Sequence, residues 1–286
     1  MDDRRVAYDH RGGWWLAAAP PHPALRPFLR SYDGYWEDVA APSRVRTLPS
    51  RTAVVIVNLG PPMYLEVPGD RSPGASYGSF ATGLYDGPGL YAHPGGQRGV
   101  QLDLTPLGAY TLLGVPQGEL ANSAACLTDL LGRHAAELVE RLDAAPGWAA
   151  RFALLDRFLL DRLERGPVPD PEVARAWGLL SRGGGRVPVA ELAAEVGWSR
   201  RHLACRFRAQ VGLSPKVTAR VLRFERAVGL LIGGGPACPE PVLSELALAC
   251  GYYDQAHLNR EFRALAGCTP TELLAAHGKR EVTIPA

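Results

Sequence analysis

The chain has 286 residues, 31 Lys and Arg against 29 Asp and Glu, a formal charge of +2, and 47% apolar and 21% charged residues. At roughly 150 residues per domain that length suggests about two domains, and the apolar content excludes a chain disordered throughout. No window approaches the ~18 consecutive apolar residues of a membrane helix, and no apolar run follows Met1-Asp2-Asp3-Arg4-Arg5, so neither a membrane span nor a secretory signal is expected.

Residues 1–105 read as strands and turns. The β-branched run 52–59 lies between Pro49-Ser50 and Gly60-Pro61-Pro62 and predicts a buried strand. Segments 63–67, 77–85 and 99–104 predict further short strands between Gly/Pro turns, hence a small barrel or sandwich. After Pro106 the apolar spacing changes to three and four residues, predicting helices over 107–113, 127–142 and 148–163. In the last of these, Phe152, Leu155, Leu159 and Leu163 share one face. Gly166-Pro167-Val168-Pro169 breaks the pattern, and Asp170-Pro171-Glu172 predicts a new helix start with an acidic cap and Pro in the first turn. The fold class expected is therefore α+β: a sheet-rich part with trailing helices over 1–166, then an all-helical part over 167–286.

That second part contains an internal repeat. Glu191, Leu192, Ala193 and Gly197 recur 54 positions later as Glu245, Leu246, Ala247 and Gly251. Beyond the glycine the offset is 55: His202-Leu203 recurs as His257-Leu258, Phe207-Arg208-Ala209 as Phe262-Arg263-Ala264, and Gly212 and Pro215 as Gly267 and Pro270. The extra residue belongs in the turn, because inside a helix it would rotate the packing face by about 100°. Each copy reads helix, glycine turn, capped helix, with Ser199 and Asp254 as the caps, and so predicts two helix-turn-helix units. Gly233-Gly234-Gly235-Pro236 ends the helix expected between them.

Charge follows the repeat. Residues 183–286 hold 13 basic and 9 acidic side chains, whereas 1–182 hold 18 and 20. Between Ser199 and Arg226 stand Arg200, Arg201, Arg206, Arg208, Lys216, Arg220, Arg223 and Arg226 against Glu225 alone, a candidate footprint for a polyanion. With Leu203 and Phe207 inward, Arg201, Cys205 and Arg208 face outward, flanked by Arg200, His202 and Ala204. In the second copy Ala256, Arg260 and Arg263 face outward, flanked by Gln255, His257 and Asn259. Arg, Gln and Asn make paired hydrogen bonds to guanine and adenine edges in the major groove. A helical spacer over 216–231 could set the two outer faces into successive major grooves.

Here a resemblance becomes specific. The region from about 170 to 278 resembles the DNA-binding domain of the AraC/XylS family of bacterial transcription regulators. The second copy carries it best, in Glu245-Leu246-Ala247, Gly251-Tyr252, the run from Asp254-Gln255-Ala256-His257 through Leu258-Asn259-Arg260-Glu261-Phe262-Arg263, then Gly267 and Thr269-Pro270. Arg223-Phe224-Glu225-Arg226-Ala227 resembles the family's linker helix. The resemblance implies a sequence-specific regulator without catalysis. Bases would be read by Arg201, Ala204 and Cys205 in the first copy and by Gln255, Ala256, Asn259 and Arg260 in the second. Ala204 and Cys205 depart from the longer polar groups common there, shifting weight onto Arg200 and Arg201. Together with Arg208, His257 and Arg263 these form the expected DNA-binding set. The 200–226 arginines, Arg220 among them, are expected to neutralise phosphates. Double-stranded DNA is the expected partner; the resemblance also admits a small-molecule effector, RNA polymerase and a second copy of the chain, and no membrane.

Residues 1–165 resemble more weakly an N-terminal domain found on some such regulators, through Leu48-Pro49-Ser50, the 54–60 strand, and Leu102-Asp103-Leu104-Thr105-Pro106 leading to Leu112-Leu113-Gly114-Val115-Pro116. Family analogy suggests an effector pocket. Trp14, Trp15, Tyr35, Trp36 and Tyr64 are candidates to line it, though core or anchoring roles are commoner for such residues. Arg51 suits an anionic effector or, more commonly, a salt bridge. His10, His22 and His93 are isolated, and no cupin-type ligand spacing is present, so neither metal nor cofactor is expected. Cys126, Cys205, Cys238, Cys250 and Cys268 form no C-x-x-C pair, which fits a reducing cytoplasm. No P-loop, dinucleotide fingerprint or G-x-S-x-G is present. Two rivals stand beside this reading: an enzyme or repair protein with a DNA-binding appendage, for which Cys126 is the only cysteine of the first half, and a protein-interaction module built of paired helical hairpins.

Overall fold

A computed structural model describes residues 6–11, 13–37, 41–68, 74–233 and 242–277. Cys238 and the glycine run after Gly233 lie outside them. The first part contains two antiparallel sheets. One has seven strands in the order β1-β2-β3-β10-β5-β8-β11, comprising β1 (Ala7–Arg11), β2 (Trp14–Ala18), β3 (Leu29–Glu37), β5 (Ala53–Asn58), β8 (Phe80–Thr82), β10 (Arg98–Leu104) and β11 (Ala124–Cys126). The other has four in the order β4-β9-β6-β7, comprising β4 (Ser43–Thr47), β6 (Met63–Glu66), β7 (Ala75–Tyr77) and β9 (Gly89–His93). Both sheets are open, so of the two architectures expected the sandwich describes the molecule and the closed barrel does not.

Period-two alternation assigns the two faces of the large sheet. Ile56, Tyr35 and Phe80 meet Met63 and Leu65 of the small sheet. Val55, Val57, Leu102 and Leu104 face the opposite way, onto helices α1 (Pro106–Leu113), α4 (Arg133–Ala144) and α5 (Trp148–Arg165). The 127–142 segment is two helices rather than one, α3 (Leu127–Leu131) and α4, because Gly132 takes φ 60 and turns the chain between them. A short α2 (Gln117–Leu120) lies between α1 and β11. Gly34 is required on β3: a methyl group there would stand 2.1 Å from the Trp148 ring. That ring stacks on Trp36 at 5.6 Å, and Trp36 stacks in turn on Trp15 at 5.9 Å.

Four of the five aromatic candidates thus separate into two groups, and Tyr64 stands half-buried on β6. Trp15 and Trp36 belong to this stack; Trp14 and Tyr35 pack between the sheets, with Trp14 5.6 Å from the buried His93 ring. The apolar space enclosed by Val55, Leu102, Leu112, Leu138 and Phe158 amounts to about 20 Å³, roughly one water. Burial holds the His93 imidazole below its ordinary value, an effect Glu37 opposes from 3.6 Å away.

After α5 the chain runs through Gly166 to Asp170, and beyond it the regular elements among the described residues are all helices: α6 (Pro171–Arg182), α7 (Val189–Glu195), α8 (Arg200–Val211), α9 (Pro215–Ile232), α10 (Leu243–Ala249), α11 (Gln255–Ala266) and α12 (Pro270–His277). One core joins them, with Leu203, Phe207, Phe224, Leu258 and Phe262 fully buried in it. Leu48 and Leu84 from the sheet-rich part pack into that same core. Among the described residues no helix is long and apolar enough to cross a membrane.

Candidate nucleic-acid interface

The two repeat copies close their first helices with the same pair of hydrogen bonds. Trp198 N–H donates to the Ala193 carbonyl (3.0 Å) and Tyr252 N–H to Ala247 (2.9 Å). Gly197 N–H donates to Ala194 (3.2 Å) and Gly251 N–H to Leu248 (3.0 Å). These paired bonds form the Schellman closure of a helix end, which needs a left-handed residue; Gly197 has φ 69 and Gly251 φ 79. The buried Ala193 and Ala247 let the helices of each hairpin approach. The Ser199 hydroxyl then accepts from His202 N–H (3.2 Å), and the Asp254 carboxylate from His257 N–H (2.7 Å), so both predicted caps are in place. The extra residue of the second turn is Tyr253, 86% exposed. Insertion there leaves the capped helix unrotated, and Leu258 and Phe262 stay inward as Leu203 and Phe207 do.

The outer faces follow. Arg200, Arg201, Cys205 and Arg208 are exposed and Ala204 is half-buried. On α11, Gln255, Ala256, Arg260 and Arg263 are exposed, while His257 and Asn259 are half-buried at its flank. The Asn259 Oδ1 is covered and has no partner among the described residues, so this side chain stands less free than its outward spacing implied. Among the described residues Arg200, Arg201 and Arg260 make no ion pair, which leaves their donors available.

The basic stretch is partly neutralised within the fold, and this corrects its reading as a uniform footprint. Arg206 makes a bidentate pair with Asp170 (2.7 and 2.8 Å), which holds that carboxyl below its ordinary value. Asp170 sits at the start of α6 as expected, but its carboxylate caps no N–H there and serves Arg206 instead. Arg220 makes a bidentate pair with Glu261 of α11 (2.9 and 3.1 Å), so it is not a free phosphate ligand. Arg223 donates to the Gly185 carbonyl (2.7 Å). These partners lie 36 to 41 positions away, a separation at which no local spacing signals a pair.

The sheet-rich part touches both hairpins near the C-terminal ends of α8 and α11, where α2 also reaches the Arg208 side chain. Arg51 pairs with Glu225 of α9 (2.8 Å), the salt bridge that was the commoner expectation. Arg46 donates to the Ala266 carbonyl at the end of α11 (3.2 Å). Helices α1 and α2 lie along the last turns of α8. A methyl group on Gly118 would stand 3.2 Å from the Arg208 carbonyl, and one on Gly212 3.2 Å from the Gln117 carbonyl. The N-terminal turns of α8 and α11, which bear Arg200, Arg201, Gln255 and Ala256, are left open.

Residues 192–276 match the family described as a helix-turn-helix domain. Among solved structures, a transcriptional regulator with an AraC-type DNA-binding domain from Chromobacterium violaceum is 26% identical over 38% of this chain and 95% of that one, with a TM-score of 0.34. A probable AraC family regulator from Rhodopseudomonas palustris is 27% identical over 40% and 100% of the two chains, at 0.33. ToxT from Vibrio cholerae is 11% identical over 85% and 97%, at 0.46. No curated protein matches. The family match falls on both capped hairpins and the helix between them, so residues 192–276 of this chain form a helix-turn-helix domain.

Proposed function

We propose that this chain is a transcription regulator of the AraC/XylS type that reads a specific duplex sequence with two helices, α8 and α11, set into successive major grooves. Residues 167–286 form the DNA-binding part, and 1–166 a regulatory part that responds to a small molecule or to a second copy of the chain. The observation that carries the reading is the pair of identically closed and capped hairpins whose N-terminal turns remain open while the Leu/Phe faces of both helices are buried. Arg200 and Arg201 dominate the first half-site; Gln255, Ala256 and Arg260 dominate the second, with Asn259 and His257 at its edge. Ala204 and Cys205 contribute apolar contact, as with thymine methyl groups. Arg208 and Arg263, nearer the helix ends, suit phosphates. The protein acts without catalysis, in the cytoplasm, and RNA polymerase is a natural partner for such a factor.

Site selection from random duplexes, followed by gel shift at fixed salt, tests this. The expected result is an enriched sequence with two half-sites about 10 base pairs apart. Duplex binding with no sequence preference, or none at all, contradicts it.

A further inference from the structure

Between the first hairpin and α11 lies a cleft of about 590 Å³ that shares only His257 with the flank of the α11 outer face. Its floor is the side of α9 bearing Lys216, Arg220 and Arg223; one wall is the 185–189 segment and the other is His257 and Glu261 of α11. Four cations line it, Arg186 being the fourth, against one carboxylate. That carboxylate, Glu261, is already engaged by Arg220. Arg223 spends Nη1 on Gly185 and leaves a covered Nε without an acceptor. Arg186 and Lys216 are exposed, and neither makes an ion pair among the described residues. The Arg186 stem lies over the second turn, since a methyl group on Gly251 would meet its Cγ at 2.9 Å. This cation therefore sits between the hairpins rather than on one of them.

A duplex whose consecutive major grooves receive α8 and α11 presents a minor groove between them, edged by phosphates. The cleft lies beside α11 and against the start of α7, the first helix of the hairpin that carries α8. Its free groups are donors alone, on long stems, with no free carboxylate to read an exocyclic amine. We propose that the cleft is a phosphate cradle for the strand crossing between the two half-sites, with Arg186 and Lys216 as its contacts and the Nε of Arg223 behind them. The inference rests on the reading that α8 and α11 occupy neighbouring grooves. It adds sequence-independent affinity from residues outside both recognition helices.

Fluorescence anisotropy of the full chain, on a selected duplex of about 30 base pairs and on a scrambled one, between 0.05 and 0.3 M salt, decides it. Each phosphate contact contributes about 0.9 to the slope of log affinity against log salt, which is about fivefold in affinity near 0.15 M. Arg186→Ala and Lys216→Ala should each remove that much from both duplexes alike, and the double variant about twice the slope change, with base preference retained. Arg133→Ala, on the exposed start of α4, should change nothing. A double variant with the wild-type slope, in a chain that binds the selected duplex, overturns the cradle alone. Loss confined to one base position also overturns it. Wild-type protein with no salt-dependent duplex binding overturns the regulator reading and the cradle with it. Titration with inorganic phosphate supplies the last arm: if the double variant loses phosphate binding but keeps the slope, the cleft holds a free anion and not a duplex.

Discussion

The first hairpin is held from two directions and the second mainly from one. Helix α8 rests on the helical core and, along its last turns, on α1 and α2 of the sheet-rich part. Helix α11 meets that part through Arg46, whose guanidinium lies at the helix C-terminus where a cation is favoured, and through Pro88 near Gly267. The local architecture of the two copies is the same: closure, cap and inward Leu/Phe pair. The difference lies in what covers the far ends. A repeated sequence thus secures a repeated hairpin, while the sheet-rich part engages the copies unequally, with a broader seam to the first than to the second.

The largest effects should be equal in the two copies, because they concern what is repeated. Phe207 and Phe262 are both fully buried. Truncation of either to Ala should cost about 3–5 kcal/mol, as for other aromatic cores, read by denaturant unfolding. A cost in one copy several-fold below the other breaks the equivalence. The matched glycines Gly212 and Gly267 test the difference instead. Gly212 takes φ 105 and ψ −53 and abuts the Gln117 carbonyl, so Gly212→Ala should cost about 2–3 kcal/mol, from backbone strain and collision together. Gly267 takes φ 70 and ψ 12, with only an ordinary contact to Pro88 at 3.6 Å. Gly267→Ala should cost about 1 kcal/mol, the left-handed penalty alone. Equal costs would mean that the α2–α8 seam carries no strain.

Recognition comes next. Arg260→Ala should weaken binding by about 1–3 kcal/mol at one base position and relax preference there. Arg201→Ala should do the same in the other half-site, both measured by gel shift on site variants. Uniform weakening across sequences would move either residue to the phosphate-contacting group.

The smallest effect separates the two parts of the chain. Burial lowers the His93 value in the fold below the ordinary 6.5. In the window between those values the unfolded chain binds the extra proton, so stability rises with pH there. The contribution of neutral His93 is complete above 6.5 and is lost as pH falls toward the folded value. The thermal midpoint should therefore fall between pH 7.5 and 5.5, with faster hydrogen exchange in β9 and little change in α8 or α11. His93→Gln should flatten the dependence; an unaltered pH profile in that variant contradicts it.

What could be read from the residues alone was local. Caps at Ser199 and Asp254, positive-φ glycines at 197 and 251, and Leu/Phe pairs at helical spacing are properties of short windows, and they placed both hairpins and the insertion at the turn. Strand β3 was missed because Gly34, needed so that Trp148 can lie against it, reads locally as a breaker, and because Arg30, Ser31 and Asp33 dilute the β pattern. The 127–142 helix was read through Gly132, whose left-handed turn no periodicity reveals. In the site, the pairing of Arg206 with Asp170 and of Arg220 with Glu261 depends on how distant helices pack, so a run of like charges looked freer than it is. Arg186 lies outside that run, and its place between the hairpins follows from the second turn packing against its stem, which no local window signals.

The most direct measurement is affinity for the selected duplex with 5 base pairs inserted between its half-sites. That insertion rotates one half-site by about half a helical turn to the far face. Two helices reading neighbouring grooves from one rigid core predict a fall of at least a hundredfold toward non-specific affinity, largely reversed by inserting 10 base pairs only if the protein can stretch to follow. Affinity unchanged by the 5-base-pair insertion would show that α8 and α11 do not read the duplex together, and would contradict the account.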